Sequence, residues 1–256
     1  MFKALKRSSH EGGTPIPIPD SKKIWRGCII LGALFWISAF VVWWQEGIDQ
    51  TILFYFDPLR VSYDPIISIS KWLSSTGMAV TTTILVLYLL LSKIIKNLDA
   101  PLTAYFYTIC SFALSGISGD FLKIVFARPR PLAVFGSELL ILSTSGSFAL
   151  PSGHATKSIA LILPFLLLVG NEKNLHKFLK IIILVLGIGV CFSRIALGAH
   201  YLSDVLAGIG MALVGLPLAM LFANMVLRKA KQEQLPSLSI VWGFLLVFLT
   251  AVFLAL

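Results

Sequence analysis

Residues 181–204 read IIILVLGIGVCFSRIALGAHYLSD and contain both features that decide the fold of this chain. The stretch 181–199 is apolar apart from Ser193 and Arg194, and its length suits a helix that crosses a membrane, for which roughly 17–25 residues are needed. Polar groups gather only toward its C-terminal end, where His200 and Asp204 follow. The pattern predicts a membrane-spanning helix with reactive side chains at the membrane edge.

Other apolar stretches of similar length make the whole chain a predicted membrane protein. The 256 residues are 57% hydrophobic and 13% charged, which lies outside the range of soluble domains. Because lipid offers no partner to exposed backbone groups, the spans must be helices. The fold class is therefore predicted to be all-α, a polytopic transmembrane helical bundle with six core spans and a seventh, C-terminal one. The predicted spans are 27–44, 72–92, 100–119, 152–171, 181–199, 205–227 and 237–256.

The distribution of positive charge predicts the orientation. Residues 1–26 form a polar tail, and 27–256 form a single transmembrane domain. With the tail in the cytoplasm, most of the 21 Lys and Arg residues fall on the cytoplasmic face, as the positive-inside rule requires. The net charge of +9 is then expected to face the anionic lipid of the cytoplasmic leaflet. Binding of nucleic acid is not predicted, because the sequence has no stripe of alternating basic and aromatic residues. The oligomeric state stays open.

Several further segments carry structural predictions. Cys28, Cys110 and Cys191 lie inside spans, without the spacing of a disulfide framework or a metal site, and are expected to pack in the core. The stretch 45–71 has two Asp-Pro steps, which predict N-caps of short helices lying in the interface plane, although a plain connecting loop is equally compatible. The outer loop 127–151 is a candidate lid or lipid-contact segment.

Three short clusters supply what an oxyanion site needs. In the first, Arg130 offers a planar fork and Lys123 a point charge. Arg128 is interpreted as an interfacial anchor and Asp120 as the counter-charge of Lys123.

The second cluster, Pro151-Ser152-Gly153-His154, is expected to open a helix. Pro151 suits the first turn, which would leave the amides of Ser152 and Gly153 free to bind an anion. A simple turn with a helix cap fits the same four residues. Gly153 would also let an oxyanion approach the backbone.

The third cluster places His200 four residues before Asp204, so that both share one helix face. A carboxylate bonded to one ring nitrogen leaves the other as an aimed nucleophile. Only His154 and His200 lie outside, since His10 is in the tail and His176 in an inner loop. With the tail inside, every cluster falls at an outer span end.

Written as Lys123-x6-Arg130-Pro131, Pro151-Ser152-Gly153-His154 and Ser193-Arg194-x5-His200-x3-Asp204, the clusters resemble the three-part signature of the type-2 phosphatidic acid phosphatase superfamily. Vanadium haloperoxidases and bacterial acid phosphatases share this signature. Every signature position matches, in order and with the same internal spacing. The signature region covers 123–204, and one departure is the seventh span, since many bacterial relatives resemble six-span proteins.

The resemblance implies the roles of the site residues. His200 would attack phosphorus to form a phosphohistidine, Asp204 would orient it, and His154 would protonate the leaving oxygen and then activate water. No metal or other cofactor is implied. The phosphate oxygens would be held by Lys123, Arg130, Ser152, Gly153 and Arg194.

The chain is accordingly predicted to be a lipid phosphatase of a bacterial inner membrane, with a cytoplasmic N-terminus and a periplasmic active site. Its partners would be the bilayer and a lipid phosphate: phosphatidylglycerophosphate, phosphatidate, undecaprenyl pyrophosphate or lipid A phosphate. A lipid-to-lipid phosphotransferase would use the same residues. A transporter with an anion site is disfavoured, because polar residues lie at one edge rather than along a midplane path.

Overall fold

The computed structural model describes residues 21–94, 102–142, 147–169 and 174–232, and these ranges contain nine helices and no strand. The predicted all-α class is thereby confirmed. The helices are α1 Ser21–Trp44, α2 Glu46–Tyr55, α3 Asp57–Val61, α4 Pro65–Ile94, α5 Leu102–Phe126, α6 Pro131–Phe135, α7 Gly153–Leu168, α8 Asn174–Ala196 and α9 Leu202–Gln232.

Each of the first six predicted spans overlaps one helix, in the order α1, α4, α5, α7, α8 and α9. Within the described ranges, four segments are long and apolar enough to cross a membrane, namely Lys22–Trp44, Ala104–Phe135, Asn174–Ala196 and Leu202–Leu227, with Gly153–Leu168 a shorter apolar helix. The chain is thus a multi-pass helical membrane protein. The seventh span, 237–256, and most of the polar tail lie outside the described residues, so the span count stays a prediction.

Helix α7 lies at the centre of the bundle. It packs against α5, α8 and α9, while α1 covers α9 and α4 covers α8. The α1–α9 contact depends on glycine, because a Cβ added to Gly32 would lie 3.0 Å from the carbonyl oxygen of Gly210. Small residues of this kind let membrane helices approach closely. Cys28, Cys110 and Cys191 are free and buried, as their predicted packing role requires.

The segment between α1 and α4 is helical, as one of its two interpretations predicts, but only one of its two Asp-Pro steps is an N-cap. Asp64 caps α4, since its Oδ1 accepts the amide of Ile66 at 2.8 Å. Asp57 is instead the first residue of α3, and its carboxylate accepts the amide of Leu140 at 2.9 Å. The N-cap prediction for Asp57 is therefore wrong, because a tertiary partner takes the carboxylate. The placement of these helices in the interface plane stays a prediction.

Two other local predictions are corrected. The second Asp-Pro step does not begin a short interfacial helix, because one continuous α4 runs from Pro65 to Ile94. His176 lies within α8 rather than in an inner loop. It is buried, with its Nε2 2.6 Å from the hydroxyl of Tyr88, because the helix begins earlier than the apolar run suggested.

Candidate active site

The three predicted clusters lie together, at the adjoining ends of α5, α7, α8 and α9. A guanidinium nitrogen of Arg130 is 3.2 Å from Nε2 of His200. The backbone amide of Ser152 donates to the carbonyl oxygen of Asp204 at 2.9 Å. These contacts join the first cluster to the third and the second to the third.

His200 lies between Asp204 and Arg130. Its Nδ1 is 3.4 Å from Oδ2 of Asp204, longer than a normal hydrogen bond, and its Nε2 faces the N–H of Arg130. Because the guanidinium can only donate, Nε2 must be the acceptor, which puts the proton of the neutral ring on Nδ1. This tautomer leaves the lone pair of the nucleophile on the side opposite the carboxylate.

Burial determines the charge of His200. The ring is 1% exposed, and loss of solvent lowers the pKa of His200 to about 4, an effect to which the charges of Arg130 and Arg194 add and which Asp204 opposes. The imidazole is therefore neutral at physiological pH, as a nitrogen nucleophile has to be.

The second cluster opens α7 in a way that differs from the prediction. Ser152 is the N-cap and Gly153 the first helical residue, so Pro151 precedes the helix instead of lying in its first turn. The Ser152 amide is bound to Asp204 and is not free for an anion. The amides of Gly153 and His154, in the first turn, have no acceptor within the helix. The buried Ser152 hydroxyl lacks a hydrogen-bond partner among the residues described.

Gly153 makes room for the ammonium group of Lys123. A Cβ added at Gly153 would lie 3.1 Å from Nζ and 3.8 Å from Cε of that lysine. Nζ is also 2.7 Å from Oδ1 of Asp120, so the predicted counter-charge is confirmed. The lysine at the end of α5 thus lies over the start of α7, where a positive charge and free amides can bind the same anion.

The outer loop holds Arg130 in place. Nε of Arg130 donates to the carbonyl oxygen of Ser147 at 2.6 Å, and Nη2 donates to its hydroxyl at 2.9 Å. The loop is itself attached to the bundle, since the amide of Leu142 donates to the carbonyl oxygen of Leu197. Sequence reasoning did not identify Ser147, because nothing in a small-residue stretch marks one serine as a partner. The lid function of this loop stays a prediction.

Arg194 lies in the last turn of α8 and is 4% exposed. Its Nη1 donates to the hydroxyl of Ser74 in α4, a second partner that the sequence did not indicate. The chain then turns at Gly198, whose φ of 71° favours glycine, and brings His200 back toward the site. Arg60 of α3 is fully buried beside this turn and donates to the carbonyl oxygen of Ala196 at 3.2 Å.

Arg128 is not an interfacial anchor, contrary to the prediction. It is 8% exposed, and its Nη1 donates to Oδ1 of Asp204 at 2.6 Å while Nη2 donates to Oδ2 of Asp49 at 2.8 Å. Its guanidinium carbon lies 4.2 Å from the ring centre of Tyr201 and 5.2 Å from that of Trp43. Sequence spacing could not show this, because Asp49 is about eighty residues away.

One face of α7 beside the site is half-buried rather than fully buried. Between 151 and 165, only Gly153, His154 and Lys157 are not buried. These three residues are neighbours on the helix surface at spacings of one, three and four. His154, which lies within electrostatic reach of His200 and Arg194, is thus on the side of α7 that faces α5, where Lys157 packs beside Gly116.

A family model described as the PAP2 superfamily matches residues 101–228, which is half of the chain and includes all three clusters. The chain belongs to the PAP2 superfamily. Membership agrees with the resemblance drawn from the signature residues. Asp49 and Arg60 lie outside the matched range.

A solved structure shows the same fold. The crystal structure of a transmembrane PAP2 type phosphatidylglycerolphosphate phosphatase from Bacillus subtilis superimposes with a TM-score of 0.53 and 19% sequence identity. The alignment covers 80% of this chain and 96% of that protein. At this identity the likeness concerns the fold alone. No curated protein matches the chain.

Proposed function

We propose that this PAP2 protein is a phosphatase that hydrolyses a phosphomonoester or pyrophosphate on a membrane lipid, through a phosphohistidine on His200. The observation that carries the proposal is the geometry of His200. Its Nδ1 faces Asp204 at 3.4 Å, and its Nε2 is an acceptor that faces the phosphate-binding side of the site. A neutral imidazole held in this tautomer is suited to attack phosphorus.

In the first step, Nε2 of His200 forms a bond to phosphorus as the bond to the lipid oxygen breaks. Arg130, which donates to Nε2 in the structure, must turn its N–H groups onto phosphate oxygens as the substrate binds. His154 gives a proton to the leaving lipid oxygen. The positive charge that develops on the imidazole of His200 is balanced by the carboxylate of Asp204.

In the second step, His154 accepts a proton from water, and the resulting nucleophile attacks the phosphohistidine. The N–P bond breaks, inorganic phosphate leaves, and His200 returns to its neutral form. In both steps, negative charge on the phosphate oxygens is stabilised by fixed donors. The proposed donors are Lys123, Arg130, Arg194, the amide of Gly153 and the hydroxyl of Ser152. Because these groups provide the positive charge, neither step requires a metal.

The lipid nature of the substrate is supported by the surroundings of the site. The active residues lie at the ends of helices, several of them apolar and of membrane length, and the half-buried residues of α7 lie on its side that faces α5. A lipid phosphate can then enter from the bilayer while its acyl or prenyl chains stay in the membrane. The sequence bias of Lys and Arg supports a periplasmic site in a bacterial inner membrane.

The experiment that tests this function is phosphate release from a lipid panel, by protein purified in mild detergent. The panel is phosphatidylglycerophosphate, phosphatidate, undecaprenyl pyrophosphate and lipid A phosphate. We expect release from at least one lipid in excess EDTA, and inhibition by vanadate, which imitates five-coordinate phosphorus. The His200→Ala variant is the inactive control. Complete loss in chelator would contradict the metal-independent mechanism, and an equal response to soluble phosphate esters would contradict a lipid-specific site.

A further inference from the structure

A row of buried charged groups lies behind His200, on the side away from the phosphate. Asp204 faces His200, Arg128 bonds to Asp204, and Asp49 bonds to Arg128. Asp49, Asp204 and Arg128 are 2%, 0% and 8% exposed. Of this row, the signature includes only Asp204, which it combines with His200.

Asp49 is held on three sides. Its Oδ1 accepts the amide of Ser203 at 3.0 Å, and its Oδ2 accepts both the hydroxyl of Ser203 and, at 2.8 Å, Nη2 of Arg128. Because Ser203 directly precedes Asp204, the carboxylate of Asp49 also fixes the backbone that carries the catalytic carboxylate. One residue of α2 thereby controls Asp204 by two routes.

Arg128 is fixed equally firmly. Its guanidinium stacks near the rings of Tyr201 and Trp43, and Nη1 donates to the hydroxyl of Ser203 as well as to Asp204, both at 2.6 Å. A planar group with rings nearby and acceptors in its plane has little freedom to rotate. It therefore presents Asp204 to His200 in one orientation.

The charges of the row explain why a second carboxylate is needed. Arg128 alone would cancel the charge of Asp204, and the pair would leave no net negative charge beside His200. Asp49 restores it, because two carboxylates and one guanidinium carry one net negative charge. The imidazole becomes positive when Nε2 bonds to phosphorus, and a net negative row stabilises that charge inside the buried site.

We propose that Asp49 and Arg128 are positioning residues for catalysis, which hold Asp204 in place and set the negative charge that faces the phosphohistidine. The inference rests on the proposed function, because it concerns the same nucleophile. It extends the catalytic apparatus to α2, outside the range matched by the family model. The row acts on the rate of phosphoryl transfer and not on the binding of the lipid, since it lies behind the nucleophile.

The variant that tests this is Asp49→Asn, which keeps the shape of the side chain and removes its charge. We expect kcat to fall about 10- to 100-fold, by analogy with the outer hydrogen-bond partners of metal ligands, whose removal costs that factor, with KM within about threefold. The rate of phosphoenzyme formation in a single turnover should fall by the same factor. Asp49→Glu, which restores the charge, should recover part of the loss.

Asp64→Asn is the matched control, because it makes the same chemical change in the same outer segment but only at a helix cap. It should lower the melting temperature without changing kcat per active site. Active sites are counted from the amount of phosphoenzyme formed, so that misfolded protein does not lower the measured kcat. If Asp49→Asn does not fold, Arg128→Lys replaces it as the test. This variant keeps the positive charge but loses the planar guanidinium that binds Asp204 and Asp49 together, and it should also lower kcat.

The affinity for vanadate, measured calorimetrically, gives a readout that needs no turnover. It should weaken in Asp49→Asn by a factor similar to the loss in kcat, because vanadate bonded to His200 makes the ring positive in the same way. Unchanged kcat and unchanged vanadate affinity in Asp49→Asn would overturn the positioning role. A rise in KM with no change in kcat would overturn it as well. Absence of phosphate release from every lipid by the wild-type protein would instead contradict the proposed function, with the vanadate comparison still deciding the positioning role.

Discussion

Replacing Gly153 by alanine adds one methyl group next to the ammonium of Lys123. The new Cβ would lie 3.1 Å from Nζ. Ordinary contacts of a carbon atom begin near 3.5 Å, so Nζ must move by about 0.3–0.5 Å. Nζ is the end of a flexible side chain, and the fold can accommodate this shift. The free energy of unfolding should therefore change by less than about 1 kcal/mol.

The catalytic effect should be larger than the effect on stability. Removing one hydrogen-bond donor from an oxyanion site costs about 10²–10³ in kcat, and a partial displacement of Lys123 should cost about tenfold in kcat/KM, which is about 1.4 kcal/mol. The assay is initial phosphate release from the lipid in mixed micelles, together with a thermal melt. Gly27→Ala is the control, because a Cβ there meets nothing within 4 Å, and its kcat/KM should equal that of the wild type.

A double variant separates this explanation from a general disturbance of α7. If Gly153→Ala acts only by displacing Lys123, it should add nothing to Lys123→Met, which has already lost the ammonium. The reasoning would be refuted by Gly153→Ala with wild-type kcat/KM, or by a double variant about tenfold worse than Lys123→Met alone.

Three further predictions concern the surroundings of the nucleophile. Burial lowers the pKa of His200 from 6.5 to about 4, so between pH 6.5 and pH 4 the unfolded chain binds a proton that the folded chain does not. As the pH falls through this range, the free energy of unfolding should decrease by about 1.4 kcal/mol per pH unit. Melting curves of His200→Gln should show a weaker pH dependence, and an equal pH dependence would contradict a neutral, buried His200. Arg60→Met removes the donors to the carbonyl oxygens of Leu53 and Ala196 and should destabilise the protein by about 2–4 kcal/mol, measured as a lower melting temperature; an unchanged melting temperature would show that these two hydrogen bonds do not stabilise the fold. Ser147→Ala removes one acceptor of Arg130, and kcat/KM should fall up to about tenfold, whereas a rise would show that this contact holds Arg130 away from the phosphate.

The sequence was sufficient to predict the helical class and the residues that meet in the site. Apolar length is a local property, and lipid permits few alternatives to a helix, so each of the first six predicted spans appears as a helix. The clusters were also predictable, because the orientation of successive spans brings their outer ends to one side. Which residues then pair, such as Lys123 with Gly153 and Arg130 with His200, is shown only by the structure.

Residues whose partners are distant in the chain were not predictable. Arg128 and Asp57 looked like an anchor and a helix cap, because their sequence neighbours suit those roles. In the structure both have tertiary partners instead. Arg128 binds Asp204 and Asp49, and Asp57 accepts the amide of Leu140. Asp49 offered a signal in retrospect, as a carboxylate in a short helix that ends in the apolar run 52–55, but only the fold shows what it binds.

The measurement that tests the central claim most directly is the trapping of the phosphorylated enzyme. Protein is mixed with lipid labelled in its phosphate, stopped within one turnover in alkaline denaturant, in which phosphohistidine survives, and digested for mass spectrometry. The account predicts label on His200, formed no more slowly than phosphate is released and absent in His200→Ala. Label on another residue, or full turnover by a protein that never becomes labelled, would contradict attack by His200.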